Sequence, residues 1–321
     1  VIEGLYLRGA ETEDWLDLWE DAVSRLDDDP ATRAWFEVRL AERLVAEGRV
    51  EESVPWFEAA AARARASGDG RAEVAVLDAA GEALFARDHL EAAVEAFGRA
   101  LEVAEGLENA ALMTASLTND LGVARFRQGR MDEAEPLYRR AQEMWRREAP
   151  GCRGEAVALN NLATVAQARG DIAAAEASFE QVLAVSEGLD PEGMGVAIAL
   201  SNLGAMAYHR GDLATAQERF TRSMEIRRAQ APGSLRVATA LNNLGLVALE
   251  RGDMVVAEAA HREALAIRRS EAPRTLSVAQ SLDNLGSVAW RSGDTALAAG
   301  YYREALAMLA DGEAFMVVVA D

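Results

Sequence analysis

A leucine recurs every 41 residues through most of this chain, at Leu121, Leu162, Leu203, Leu244 and Leu285. A glycine keeps the same step at Gly129, Gly170, Gly211, Gly252 and Gly293, and so do Ala134, Ala175, Ala216, Ala257 and Ala298. A proline at 150, 191, 232 and 273 adds a fourth ladder in phase with these. A unit of this size cannot bury its apolar face alone, so a fixed period means that the core is built between neighbouring units. The 321 residues therefore describe an array and do not count domains.

Within one unit, Val237 to Glu271, the apolar residues Leu241, Leu244 and Ala248 fall at helical intervals, and Ala257, Ala264 and Leu265 do the same further on. The unit reads as a helical hairpin. Between its halves stands Arg251-Gly252-Asp253, where the glycine ends one helix and the aspartate caps the next. The same triplet at 169–171 and 210–212 is read as a turn, not as an adhesion signal. Ala-Pro-Gly at 149–151 and 231–233 then stops the second helix and hands over to the next hairpin. Small residues at Gly122, Ala163, Gly204, Gly245 and Gly286 let backbones approach, while Tyr138, Phe179, Phe220, His261 and Tyr302 fill one recurring pocket. His261 stands in an aromatic's place and is assigned to packing. Abundant alanine, half the residues hydrophobic and only 6% aromatic suit close-packed helices, so the fold class is all-α.

Fifty-three acidic residues against 33 basic ones, all arginine, leave a net charge of −20, which opposes nucleic acid and anionic membranes as direct partners. Cys152 is the only cysteine, and it is read as an incidental loop thiol. No metal or cofactor is expected: three scattered histidines have no ligand spacing, and no phosphate-cradling glycine loop or nucleophile with a base is visible. With a single cysteine no internal disulfide forms, so a reducing, cytoplasmic setting is expected, and with no apolar run long enough to span a bilayer the protein is expected to be soluble. The pairs Arg139-Arg140, Arg146-Arg147, Arg227-Arg228 and Arg268-Arg269 read as solvated cations on second helices.

The pattern Leu203-Gly204, Ala216, Phe220 resembles the tetratricopeptide repeat, whose usual unit is about 34 residues. The longer units, with Leu-Asn-Asn-Leu-Gly followed by Ala-Pro-Gly-Ser, are similar to those of kinesin light chains and, more closely, to the repeats preceding CHAT-type caspase-like peptidases in bacteria. The resemblance implies a right-handed superhelical solenoid of antiparallel hairpins. Seven hairpins are expected over 32–310, behind an acidic N-terminal helix or partial repeat in 1–31 (Glu11 to Leu26, with Trp15 and Trp19). Val319 and Ala320 repeat Val278 and Ala279 one period on, so 311–321 is read as the start of a truncated further repeat or tail, and the chain as part of a longer protein.

In that family the first helix of each hairpin lines a concave groove, often with the residue two before the small Gly or Ala. The resemblance so places Asp120, Asn161, Asn202, Asn243 and Asn284 in the groove, with Asn119, Asn160 and Asn242 beside them. An amide offers donors and an acceptor to the backbone of an extended peptide, or braces neighbouring helices. The same geometry implies side-chain selection by Phe126, Tyr208 and Trp290, with Arg127, His209 and Arg291 following them. The expected function is a non-catalytic protein- or peptide-binding module that engages a peptide or a domain of its own parent. The rivals are a sensory arm of a nucleotide-switch regulator and a self-assembling scaffold.

Overall fold

The computed structural model describes Trp19 and residues 30–310. The acidic helix expected at 11–26, apart from Trp19, and the tail expected at 311–321 lie outside the described residues.

The chain divides into two units, 1–150 and 151–321. The first holds three helix hairpins: α1 Pro30–Ala46 with α2 Val50–Ala66, α3 Gly70–Ala86 with α4 Leu90–Glu105, and α5 Ala111–Arg127 with α6 Met131–Glu148. The second holds four: α7 Arg153–Ala168 with α8 Ile172–Leu189, α9 Met194–His209 with α10 Leu213–Gln230, α11 Leu235–Glu250 with α12 Met254–Glu271, and α13 Leu276–Arg291 with α14 Thr295–Ala310. No strand occurs among the described residues. Within each unit every second helix packs on its own partner and on the first helix of the next hairpin.

The turn triplets act as local chemistry demands. Gly252 takes φ +80°, a left-handed conformation that costs a residue with a Cβ, and the Gly ladder repeats it at 129, 170, 211 and 293. Asp253 then accepts from Val256 N at 3.2 Å, as Asp171 does from Ala174 N and Asp212 from Thr215 N. These caps satisfy amide groups that the first turn of a helix leaves unpaired.

The large residue of each second helix lies over the small residue of its own first helix. Phe97 sits against Gly81, Tyr138 against Gly122, Phe220 against Gly204, His261 against Gly245 and Tyr302 against Gly286, with a Cβ at each glycine falling 2.5–2.8 Å from the ring. Phe179 packs in the same cluster as Ala163. Burying such a ring contributes about 1.5–3 kcal/mol relative to leaving it in water, so this contact is a main source of hairpin stability.

The leucine ladder is less uniform than its spacing suggests. Leu203 is fully buried and Leu285 nearly so, whereas Leu121, Leu162 and Leu244 are half-buried. Leu244 opens on a cleft between α10 and α12 whose other walls include Val255, Val256 and Ala260.

Arg139, Arg140, Arg146 and Arg147 are exposed, and among the arginine pairs only Arg227 and Arg268 depart from the reading as solvated cations. Arg228 reaches Glu263 at 2.7 Å and Arg269 reaches Glu304, each linking consecutive second helices. Their neighbours Arg227 and Arg268 are buried instead. Arg268 Nη1 donates to Ser277 O at 2.9 Å and to Ser281 Oγ at 2.7 Å, and Arg227 Nη1 reaches Arg236 O at 3.4 Å. Adjacent residues on a helix point about 100° apart, so one arginine meets the next hairpin while the other stays at the surface.

Candidate functional site

Each first helix of the second unit carries a stripe of exposed and half-buried positions spaced i, i+4, i+7 and i+11, one face of a 3.6-residue helix. On α9 it is Ile198, Asn202, Ala205 and His209; on α11, Thr239, Asn243, Leu246 and Glu250; on α13, Gln280, Asn284, Ser287 and Arg291. Asn161 occupies the same place on α7 and is half-buried. On α5 of the first unit the stripe is Ser116, Asp120, Val123 and Arg127.

Four amides of the second unit meet in two pairs. Asn202 Nδ2 donates to Asn160 Oδ1 at 3.2 Å, and Asn284 Nδ2 donates to Asn242 Oδ1 at 2.6 Å. Each bond joins the first helices of consecutive hairpins and satisfies a half-buried group that would otherwise cost desolvation. The Asn243 side chain forms no hydrogen bond among the described residues, and the residue is half-buried. In the first unit Asn119 is buried, and its Nδ2 donates to Asp120 Oδ1 at 3.2 Å.

Asn160 of the first pair and both members of the second border apolar clefts. A cavity of about 460 Å³ opens between α7, α8 and α9, lined by Asn160, Val157, Ile198, Leu189, Met194 and Arg153 among others. A second, of about 700 Å³, lies over α11, α13 and α14 and is lined by Asn242, Asn284, Leu246, Asp283, Leu306 and Leu309 among others. Val157, Leu189, Ile198, Leu306 and Leu309 all expose substantial apolar surface here.

A polar cluster closes the C-terminal ends of three first helices in the second unit. Arg291 Nη2 binds Glu250 Oε1 at 2.8 Å while its Nη1 binds Leu249 O at 3.1 Å. Burial, then Glu250, pushes the Tyr208 hydroxyl pKa up, with Arg291 opposing. The Tyr208 and His209 rings meet edge to face at 5.7 Å. Trp290 projects into solvent, 62% exposed. In the first unit Phe126 is half-buried, and Arg127 binds Asp88 at 2.8 Å while its guanidinium lies over the Phe85 ring.

The arginines at 127 and 291 are thus held by the preceding hairpin, which lessens their freedom to meet a ligand. Glu250 was not singled out by sequence reasoning, although it stands one period after His209 and one before Arg291. Among the described residues no group of three or more His, Cys, Asp or Glu side chains is placed to hold a metal ion. No helix among them is long and apolar enough to cross a membrane.

Stacked antiparallel hairpins with a small-residue and aromatic contact in each define an α-helical repeat protein. The chain belongs to the tetratricopeptide repeat family, which matches residues 32–106, 113–188, 195–270 and 236–311, with a second form of the repeat at 160–223. No curated protein matches the sequence. Among solved structures it is similar to BtubC (BKLC) from P. vanneervenii at 24% identity and TM-score 0.60, covering 69% of this chain and 91% of that one. It is also similar to the kinesin light chain TPR-like repeats of Podosopora anserina, at 17% identity and TM-score 0.54, covering 64% and 99%. The apo form of the quorum sensor NprR from B. thuringiensis matches at 12% identity and TM-score 0.56, covering 96% and 98%.

Proposed function

We propose that this chain is a non-catalytic binding and regulatory module that takes an extended peptide segment along the open face of its first helices. The observation that carries the reading is the adjacency of hydrogen-bonded amide pairs and apolar clefts in the second unit: Asn160 with Val157 and Ile198, and Asn242 and Asn284 with Leu246 and Leu306. Amides suit peptide backbone of any sequence, and apolar clefts suit alternate side chains of an extended strand. Tyr208 and Trp290 supply aromatic anchors near the far end of the stripe.

The fold alone links the chain to its structural neighbours, one of which is named as a quorum sensor, and a signal-receiving role agrees with that company. The finer reading, that the array belongs to a bacterial cytoplasmic parent and governs a CHAT-type peptidase domain through the bound segment, rests on the Leu-Asn-Asn-Leu-Gly and Ala-Pro-Gly-Ser resemblance.

A selection of displayed random peptides on the purified chain tests the proposal. Binders are expected to carry spaced apolar side chains and to lose affinity at least tenfold, about 1.4 kcal/mol, for a chain carrying Ile198→Asp and Leu246→Asp with unchanged helicity. Binders indifferent to both substitutions would move the site to another surface.

A further inference from the structure

We propose that Asp78 on α3 and Asp120 on α5 share one proton and so form, in the first unit, the helix-to-helix brace that asparagine pairs form in the second. The brace makes the α3–α5 junction sensitive to pH.

The argument starts from register. Asp78 and Asp120 stand 42 residues apart, and so do the bonded pairs Asn160 with Asn202 and Asn242 with Asn284. Asp78 lies three residues before Gly81 and Asp120 two before Gly122, as Asn242 and Asn284 stand to Gly245 and Gly286. In the amide pairs a side-chain N–H of the later residue meets a carbonyl oxygen of the earlier one. Two carboxylates offer only acceptors and repel each other, whereas one added proton restores a donor.

The surroundings leave that proton as the missing partner. Asp78 Oδ1 is buried and meets no donor. Asp120 is better served, since Oδ1 accepts from Asn119 Nδ2 at 3.2 Å and Oδ2 lies 3.4 Å from Ser116 Oγ. The charges acting on Asp78 are Glu82 on its own helix and Asp120 on α5, both negative. The arginines of the neighbouring helices have carboxylate partners elsewhere: on α1, Arg33 with Glu37, Arg39 with Glu42 and Arg43 with Glu47; on α2, Arg63 with Glu37 and Arg65 with Glu73; on α4, Arg99 with Glu58; on α5, Arg125 with Glu133 and Arg127 with Asp88. On α6 the Tyr138 hydroxyl sits near Asp120 and, buried, keeps its proton.

Burial first, then Glu82 and Asp120, pushes the Asp78 pKa up to about 6, and burial raises that of Asp120 as well. When Asp78 holds the proton, its hydroxyl donates to the Asp120 carboxylate, and no charge is left on Asp78. A carboxyl whose folded pKa lies above its unfolded value of 3.8 stabilises the fold fully below that value and loses its contribution as pH rises through about 6.

Carboxyl ¹³C titration of the whole chain, labelled at aspartate, tests this, with Asp78→Asn and Asp120→Asn providing the assignments. The Asp78 signal is expected to titrate near 6, and its midpoint to fall in Asp120→Asn. A midpoint in the ordinary aspartate range, or one unmoved by Asp120→Asn, overturns the proposal. Thermal unfolding of the double variant Asp78→Asn/Asp120→Asn, which recreates an amide pair, supplies a second reading. Its advantage in Tm over the natural chain is expected to grow between about pH 5 and pH 7.5. An equal difference at both pH values overturns the proposal.

Discussion

The imidazole of His261 lies directly on Gly245: a Cβ at residue 245 would stand 2.6 Å from both Cε1 and Nε2 of the ring. The ring is fully buried, and neither nitrogen has a hydrogen-bond partner. Phe97, Phe179 and Phe220 fill the same slot in other hairpins. Histidine is therefore packed as a hydrocarbon ring while retaining two unsatisfied polar atoms.

This arrangement makes the α11–α12 hairpin acid-sensitive. Burial first, then Arg268, lowers the His261 pKa from 6.5 to about 4. Because the folded pKa lies below the unfolded one, the neutral ring stabilises fully above about pH 6.5, and its contribution is lost as pH falls toward 4. The interval corresponds to a change on the order of 3 kcal/mol. His261→Phe is expected to remove this dependence and to raise stability, as read by urea unfolding on either side of the interval. Equal loss of stability in both proteins on acidification would contradict it.

Gly204→Ala tests the close approach directly. The new methyl would stand 2.8 Å from Phe220 Cδ1, and Phe220 is buried. Better helix propensity favours alanine by up to about 1 kcal/mol, whereas overpacking costs about 1–3 kcal/mol. A net loss of up to about 2 kcal/mol is expected by chemical denaturation. Ala163 shows that a rung can hold a methyl group where its surroundings are built around one, so Ala163→Gly is expected to destabilise through helix propensity and through the lost burial of its methyl group.

The leucine ladder is expected to respond unequally. Leu203→Ala removes a fully buried side chain packed with Ala163, Phe179 and Met206, at about 2–5 kcal/mol. Leu244→Ala is expected to cost less, because Leu244 already borders an open cleft. Hydrogen exchange read residue by residue is expected to show the Leu203 damage centred on α7–α10, since coupling in repeat arrays runs between neighbours. Uniform loss of protection over the second unit would argue for a single cooperative core there.

The bracing role and the proposed binding role are expected to separate at two asparagines. Asn284→Ala breaks the 2.6 Å bond to Asn242 and is expected to cost about 0.5–1.5 kcal/mol of stability. Asn243→Ala breaks no hydrogen bond, so stability is expected to change by less than about 0.5 kcal/mol while affinity for a selected peptide falls. Calorimetric unfolding beside peptide titration reads both, and an Asn243 variant that binds as before would remove that residue from the site.

What the amino-acid order determined was the repeat: spacing of leucine, glycine, alanine and proline places each helix, turn and cap, because these depend on φ/ψ preference and on 3.6-residue periodicity within some twenty residues. The aromatic slot was legible for the same reason, since Phe220 and Gly204 belong to one hairpin. The second set of decisions lay between hairpins. Position alone does not tell that Asn202 reaches Asn160 while Asn243 bonds to none, that Leu244 faces a cleft, or that Arg268 turns inward beside an outward Arg269. The hydrogen bonds among these join residues from 9 apart in sequence, Arg268 to Ser277, to 42 apart, Asn202 to Asn160. Packing between neighbouring hairpins brought those residues together, and tertiary structure alone decided which equivalent positions became braces.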